Sequence, residues 1–311
     1  MTSAQQHHPT STAGILVVGS SNTDMVIKSS RIPLPGETIL GGDFLMNPGG
    51  KGANQAVAAA RLGGRVAFIA KVGNDIFGEQ AIAHFRNEGI DTAAVIADKE
   101  HPSGVALITV DAAGENCIVV APGANGFLDA TDILHFKNKI TEAEVIVLQL
   151  EVPLPTVEQV VAIAAANHKK VILNPAPACI LPAGIFKSLF LLTPNQVETE
   201  MLTGVKVNTL KDCEKAAEAF KKKGLRNCMI TLGEMGVYVN AESFTGHIPS
   251  IKVEAVDTTA AGDVFTAAVA VAIAEGKSVD EAARFGVKAA AVAVTRPGAQ
   301  ASAPYRSEIT G

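Results

Sequence analysis

The sequence predicts an α/β protein: a mostly parallel central sheet covered by helices on both faces, plus a small second sheet inserted as a lid. Two observations predict it. Short apolar runs alternate with helical patterns along most of the chain, which means right-handed βαβ crossovers. Four half-exposed strand patterns break that rhythm and arrive in pairs, with no helix between the members of a pair. The chain has 311 residues, 48% hydrophobic and 18% charged, enough for a large core.

The first strand is Ile15–Gly19, a short buried run of the kind parallel sheets use. Later runs of this type are Val66–Ala70, Val145–Gln149, Val171–Leu173, Leu189–Leu192 and Cys228–Leu232. Helical patterns separate them over Gly52–Leu62, Ile76–Glu88, Leu154–Asn167, Gln196–Leu202 and Leu210–Lys223. Two more helices close the chain, over residues 263–275 and 279–294. The out-of-rhythm strands are Asp24–Ser29, Glu37–Leu45, Gly104–Val110 and Asn116–Ala121, the last two joined by a turn at Asp111–Gly114. They place a lid in segments of about 23–46 and 104–121, inside a single domain over residues 14–305. Residues 1–13 are polar and lack the apolar centre of a signal peptide, so a disordered tail is expected there, and a second tail over 306–311.

Composition narrows the function. The net charge is −5, so a basic face for nucleic acid is not expected. Lys221, Lys222 and Lys223 end a predicted helix, where cations complement the dipole. Cys117, Cys179, Cys213 and Cys228 are far apart and show no C-x-x-C spacing, which speaks against a thiolate metal site or a disulfide scaffold. No apolar run reaches membrane-span length. The expectation is a cytoplasmic protein with no membrane or nucleic-acid partner.

The most informative stretch is Glu254–Phe265. An extended segment ends at Asp257, small residues Ala260, Ala261 and Gly262 follow, and Asp263 opens a long helix. Small residues let a ligand approach the backbone, and a helix start suits a phosphate. A lone carboxylate there fits a proton acceptor for an attacking hydroxyl. It also fits an acid in an ordinary first helical turn. Gly49–Gln55 is Gly-rich and carries Lys51 and Asn54, yet matches neither a Walker A loop nor G-x-G-x-x-G. It serves a small polar ligand or a packing turn. Asn22 and Asp24 follow the first strand, and Glu151 follows a later one, at the edge where such sheets bind ligands. Asn195 and Glu198 stand three apart at a helix start, as ligand groups or as a capping box. Thr231, Gly233 and Gly236 lie in a turn that leads into a β-type segment and gives phosphates room.

Together, from Ile15 to Tyr305 and in order, these stretches resemble the ribokinase (PfkB-type) carbohydrate kinases. The two signatures are Gly49–Gln55 and Asp257–Asp263; Gly-Ser-x-x-x-Asp at Gly19–Asp24 and Gln149-Leu150-Glu151 are similar to the ribose-directed members. The resemblance implies a three-layer α/β/α sandwich with a β-lid. It implies transfer of the ATP γ-phosphoryl group to the 5-hydroxyl of D-ribose, with 2-deoxyribose, another sugar or a nucleoside as alternatives. Asp263 would be the base, and the amides of Ala260, Ala261 and Gly262 the anion hole. Asn22, Asp24, Gly50, Lys51, Asn54 and Glu151 would bind the sugar. Asn195, Thr231, Gly233 and Gly236 would bind ATP with Gly262, and Glu198 would reach Mg²⁺ through water. Asp257, Thr259, Val294, Arg296, Gly298 and Ser302 would hold an activating K⁺. The family's lid also implies a homodimer through that sheet.

Two departures stand out. Ala260 occupies a position where many relatives have Gly, and the anion hole survives if its backbone keeps a negative φ. Val287-Lys288 replaces a frequent His-Ala, so no adenine partner is assigned. Few aromatics near the lid speak against a nucleoside. A non-catalytic sugar- or nucleotide-binding regulator is opposed by Asp263, and a dinucleotide oxidoreductase by the missing G-x-G-x-x-G.

Overall fold

A computed structural model describes residues 14–309. The tail expected over 1–13 lies outside the described residues. β1 (Gly14–Val18) starts in the middle of the large sheet. β2 (Asn22–Lys28) and β3 (Phe44–Gly49) leave it to form half of the lid. α1 (Lys51–Arg61), β4 (Arg65–Gly73), α2 (Ile76–Asn87) and β5 (Asp91–Asp98) return to the main body, and β6 (Gly104–Val110) with β7 (Asn116–Ala121) completes the lid. There follow α3 (Ala130–His135), α4 (Lys137–Glu142), β8 (Val145–Leu148), α5 (Leu154–Ala166), β9 (Lys170–Leu173), β10 (Leu191–Leu192), α6 (Gln196–Thr203) and α7 (Leu210–Lys222). The chain ends with β11 (Cys228–Thr231), β12 (Val237–Asn240), β13 (Thr245–Ile248), α8 (Ala261–Ala274) and α9 (Val279–Ala293).

The large sheet has nine strands in the order β13-β12-β11-β10-β9-β8-β1-β4-β5. All pairs are parallel except β11–β12 and β12–β13. From β1 the chain steps one way to β4 and β5, then returns to β8 on β1's other side and steps outward. Such a reversal opens a crevice at the carboxyl ends of the strands. Side chains alternate between two cores, as the pleat requires. Ile15 and Val17 face a core with α1, α8 and α9, while Leu16 and Val18 face one with α5 and α7. α8 is buried almost all round because its Ala-rich surface allows close approach to the sheet, α1 and α9.

The lid has the order β3-β2-β6-β7, with β2 and β6 parallel and the outer pairs antiparallel. Phe44, Leu45, Met46, Leu107, Ile118 and Val119 leave large apolar surface exposed on it. The strand expected over Glu37–Leu45 is corrected: pairing begins only at Phe44. The stretch before it contains Pro33, Pro35, Gly36, Gly41 and Gly42, which suit a loop. The Arg31–Glu37 ion pair closes that loop. The expected C-terminal tail is also corrected over residues 306–309. Arg306 pairs with Glu275, and Ile309 is buried in the first core. Among the described residues no helix is long and apolar enough to cross a membrane.

Candidate active site

The crevice gathers most of the expected residues. At its floor α1 crosses the end of β1, with glycine on both sides of the contact. A Cβ on Gly52 would lie 2.6 Å from the Gly19 carbonyl carbon, and one on Gly19 2.9 Å from the Gly52 Cα. Side chains there would push the helix away from the strand.

Glu151, expected as a sugar contact, is hydrogen-bonded within the protein. Its Oε2 accepts from the Ser20 hydroxyl at 2.6 Å and from the Lys51 amide at 3.0 Å. The carboxylate therefore caps α1, whose own N-cap Gly50 has no side chain for that purpose. Asn22 is buried, and its Oδ1 accepts from Asn125 Nδ2 at 2.8 Å. The Asp24 side chain makes no hydrogen bond among the described residues. Its carboxylate packs against Gly49, where a Cβ would come within 2.2 Å of it. Burial, reinforced by the negative charge of Glu151 and only partly offset by Lys51, raises its pKa to about 6.

Lys51 sits between these acids and the helix start of α8. Burial works against its charge, but Asp263, Glu151, Glu198 and Asp24 outweigh that and lift its pKa above the usual lysine value. Asp263 is the third residue of α8 and is 5% exposed. Its Oδ2 accepts from Asn54 Nδ2 at 3.0 Å, and its Oδ1 from Gln55 Nε2 at 2.8 Å. Burial raises its pKa, while Lys51, Asn54 and Gln55 pull it down.

A cavity of about 180 Å³ opens beside Asp263, lined in part by Lys51, Asn174, Asn195, Glu198, Ala260 and Gly262. Positive lysine, helix start and small residues make it fit for phosphate. Of the three amides expected as an anion hole, that of Ala261 donates to Thr258 O at 3.2 Å. Ala260 itself corrects an expectation: its φ is +60°, left-handed, rather than negative. The chain must turn sharply between Thr258 and the helix, and Ala260 takes the turn as N-cap. Its carbonyl still accepts from Val264 N at 2.9 Å.

Asn195 and Glu198 line the smaller cavity and also form a capping box. Asn195 Oδ1 accepts from Glu198 N at 2.8 Å, and Glu198 Oε2 from Asn195 N at 2.8 Å. Burial lifts the Glu198 pKa to about 7, against the pull of the Asn195 amide and Lys51.

A second, larger cavity of about 970 Å³ adjoins the first and shares Asn195, Thr231, Thr258, Ala261 and Gly262 with it. Gly233 and Gly236 line it. Gly236 has φ +99°, and a Cβ there would meet Ile248 O at 2.2 Å, so no other residue fits. The far wall is apolar, with Val253, Phe265, Val287 and Ala290 among its residues. Sequence reasoning missed this wall: small aliphatic residues on α9 carry no signature. It also missed Ser20, Gln55, Asn125 and Asn174. Asn174 had a usable signal, a polar residue directly after a buried parallel strand.

The loops expected to hold a monovalent cation do meet. Asp257 accepts from Thr259 N and from Gly298 N, each at 2.8 Å. Ser302 donates to Ala299 O, and the Arg296 side chain turns away to Glu308. The Val294 carbonyl already accepts from the amides of Val256 and Asp257.

Residues 12–306 match the model of the pfkB family of carbohydrate kinases. The ribokinase of Haemophilus influenzae is 45% identical over 294 residues, 94% of this chain and 96% of that protein. The deoxyribokinase of Salmonella typhi is 38% identical over 291 residues, 93% and 95% of the two chains. The structure of Arabidopsis thaliana ribokinase complexed with ribose and ATP superposes with a TM-score of 0.88 at 30% identity, covering 96% of this chain and 97% of that one.

Proposed function

The chain belongs to the pfkB family of carbohydrate kinases and is an ATP-dependent sugar kinase, and from that premise we propose that its sugar is D-ribose, phosphorylated on the 5-hydroxyl. Relatives acting on ribose and on deoxyribose are both similar along the whole chain, so their names leave the 2-hydroxyl open. One observation carries the choice. Among the described residues the Asp24 carboxylate accepts no hydrogen bond, and the buried Asn54 Oδ1 has no partner. Two open acceptors among the expected sugar contacts suit a ligand rich in hydroxyl donors.

Asp263 takes the proton of the 5-hydroxyl as that oxygen attacks the γ-phosphorus and ADP departs. Lys51 and the start of α8 face the charge carried by the transferring group. ATP lies along the larger cavity, with its base against Phe265 and Val287 and its phosphates by Thr231 and Gly233. Glu198 and Asn195 are the residues that would hold Mg²⁺ through water. No group of three His, Cys, Asp or Glu gathers among the described residues, which fits an ion held mainly by water and substrate phosphates. Mg²⁺, when bound, neutralises phosphate charge. Asp257 with the carbonyls of its two loops would hold K⁺. The apolar lid face fits a second copy of the chain, giving a homodimer.

The test is ADP release measured across ribose, 2-deoxyribose, fructose and adenosine. Ribose is expected to exceed 2-deoxyribose by roughly 5- to 150-fold in kcat/KM, the effect of one unmet buried acceptor. A preference for deoxyribose would end the ribose assignment and leave the family assignment standing.

A further inference from the structure

Gln55 belongs to the Gly-rich motif but touches neither cavity. It is fully buried, and the hydrogen-bond partners of its side chain come from three distant parts of the chain. Its Nε2 donates to Asp263 Oδ1 at 2.8 Å and lies 3.2 Å from Asn174 Oδ1. Its Oε1 accepts from Gln149 Nε2 at 2.6 Å. Asn174 Nδ2 donates in turn to the Thr193 carbonyl at 3.1 Å.

The direction of this chain of amides is fixed by chemistry. A backbone carbonyl only accepts, so Asn174 must turn its NH₂ to Thr193 and its oxygen to Gln55. Gln55 must then present NH₂ to Asn174, and the same NH₂ reaches Asp263. Its oxygen is left for Gln149. A flipped Gln55 would set oxygen against both the Asp263 carboxylate and the Asn174 oxygen, and NH₂ against NH₂ at Gln149.

We infer that Gln55 is a positioning residue for the base, held as a one-way donor to Asp263 by Gln149 and Asn174. Gln55 holds Oδ1 and Asn54 holds Oδ2, each through one hydrogen bond. A carboxylate has about four lone-pair sites, so acceptor capacity remains for a sugar hydroxyl. Both donors favour the ionised form that a base needs, at a site where burial favours the neutral one. Asn54 is also an expected sugar contact, whereas the Gln55 side chain is fully buried and reaches only Asp263, Asn174 and Gln149.

This inference rests on Asp263 being the base, and a double-mutant cycle separates the two. Gln55→Leu, Asp263→Asn and the double variant are compared with the parent by steady-state ADP release. Loss of a hydrogen bond to a charged group predicts that Gln55→Leu lowers kcat by about 10- to 100-fold. KM for ATP should stay within about 3-fold, since Gln55 lines neither cavity. In the Asp263→Asn background the same change should alter the residual kcat by less than about 3-fold, because no base is left to position. An equal loss in both backgrounds would show a general packing role and overturn the assignment, while Asp263→Asn would still report on the base. Wild-type turnover of Asp263→Asn alone would remove the base and the positioning role with it. Should Gln55→Leu not fold, Gln149→Met removes only the clamp on Gln55. It is expected to lower kcat by about 3- to 10-fold, again only when Asp263 is present. Unchanged turnover there overturns the one-way clamp.

Discussion

Ala260 offers a sharp test because the sign of the effect follows from one backbone angle. At φ +60° and ψ 7° an L-residue is left-handed, which costs roughly 1–2 kcal/mol relative to the right-handed form. Ala260→Gly removes that cost. Glycine also loosens the unfolded chain, which takes back about 0.4–1 kcal/mol. The net is a gain of roughly 0.5–1 kcal/mol, or about 1–3 °C in Tm for a chain of this size. The control is Ala261→Gly, one residue into the same helix. There the backbone is right-handed, and the change should cost up to about 1 kcal/mol. Urea unfolding of both variants without ligands, compared at equal m-value, gives the two signs directly. Ala260→Val should cost more than either, since a β-branched side chain tolerates the left-handed region least. If Ala260→Gly destabilises the protein as much as Ala261→Gly, the backbone argument is wrong. kcat of Ala260→Gly should stay within about 3-fold, since the amide remains in place.

Three further outcomes are expected. The ligand-free protein should lose stability between about pH 4 and 7. Asp24 and Glu198 have folded pKa values of about 6 and 7, raised from 3.8 and 4.5, so their contribution is complete below the unfolded values and lost as pH rises through the folded ones. The ceiling is about 3 kcal/mol from each. Thermal melts across that range check it, and Glu198→Gln should flatten part of the slope; an unchanged slope counts against the Glu198 share. Asp24→Ala should lose most of the preference for ribose over 2-deoxyribose along with sugar affinity, read from kcat/KM for both sugars; a retained preference puts the 2-hydroxyl elsewhere. Activity should rise with K⁺ over a Tris-only buffer, and Asp257→Ala should abolish the rise; equal activity in both buffers removes the monovalent cation from the scheme.

The central strands were legible because they are buried on both faces and read as continuous apolar runs. β5 was not: Asp91–Asp98 is a partly exposed edge strand of small and polar residues. α3 and α4 are six residues each, too short to establish a helical period. The glycine motifs were legible because close backbone approach demands small residues locally. The amides around Asp263 were not, because Gln55 meets Asp263 across 208 positions and Asn174 across 119. Only the sheet order brings those strand ends together. Ala260 shows a different gap, since a residue name does not reveal the φ that a turn imposes on it.

Helix α1 is fastened at both supports. Glu151 and Ser20 hold its first amides, and at its last residue Arg61 grips Glu88 and the carbonyls of Gln300 and Ala303. In mechanical terms it is a beam clamped at each end, and Lys51, Asn54 and Gln55 ride on it. Those groups cannot follow the lid. Any swing of the lid must be absorbed at the joint just before the beam, Gly49–Gly50. There Gly50 holds φ +89°, and a Cβ would strike Asn22 N at 2.7 Å. Where β3 runs into α1, the lid and the floor of the proposed sugar site therefore meet at one peptide, with Asp24 of the neighbouring strand packed against Gly49 on one side and Lys51 on the other.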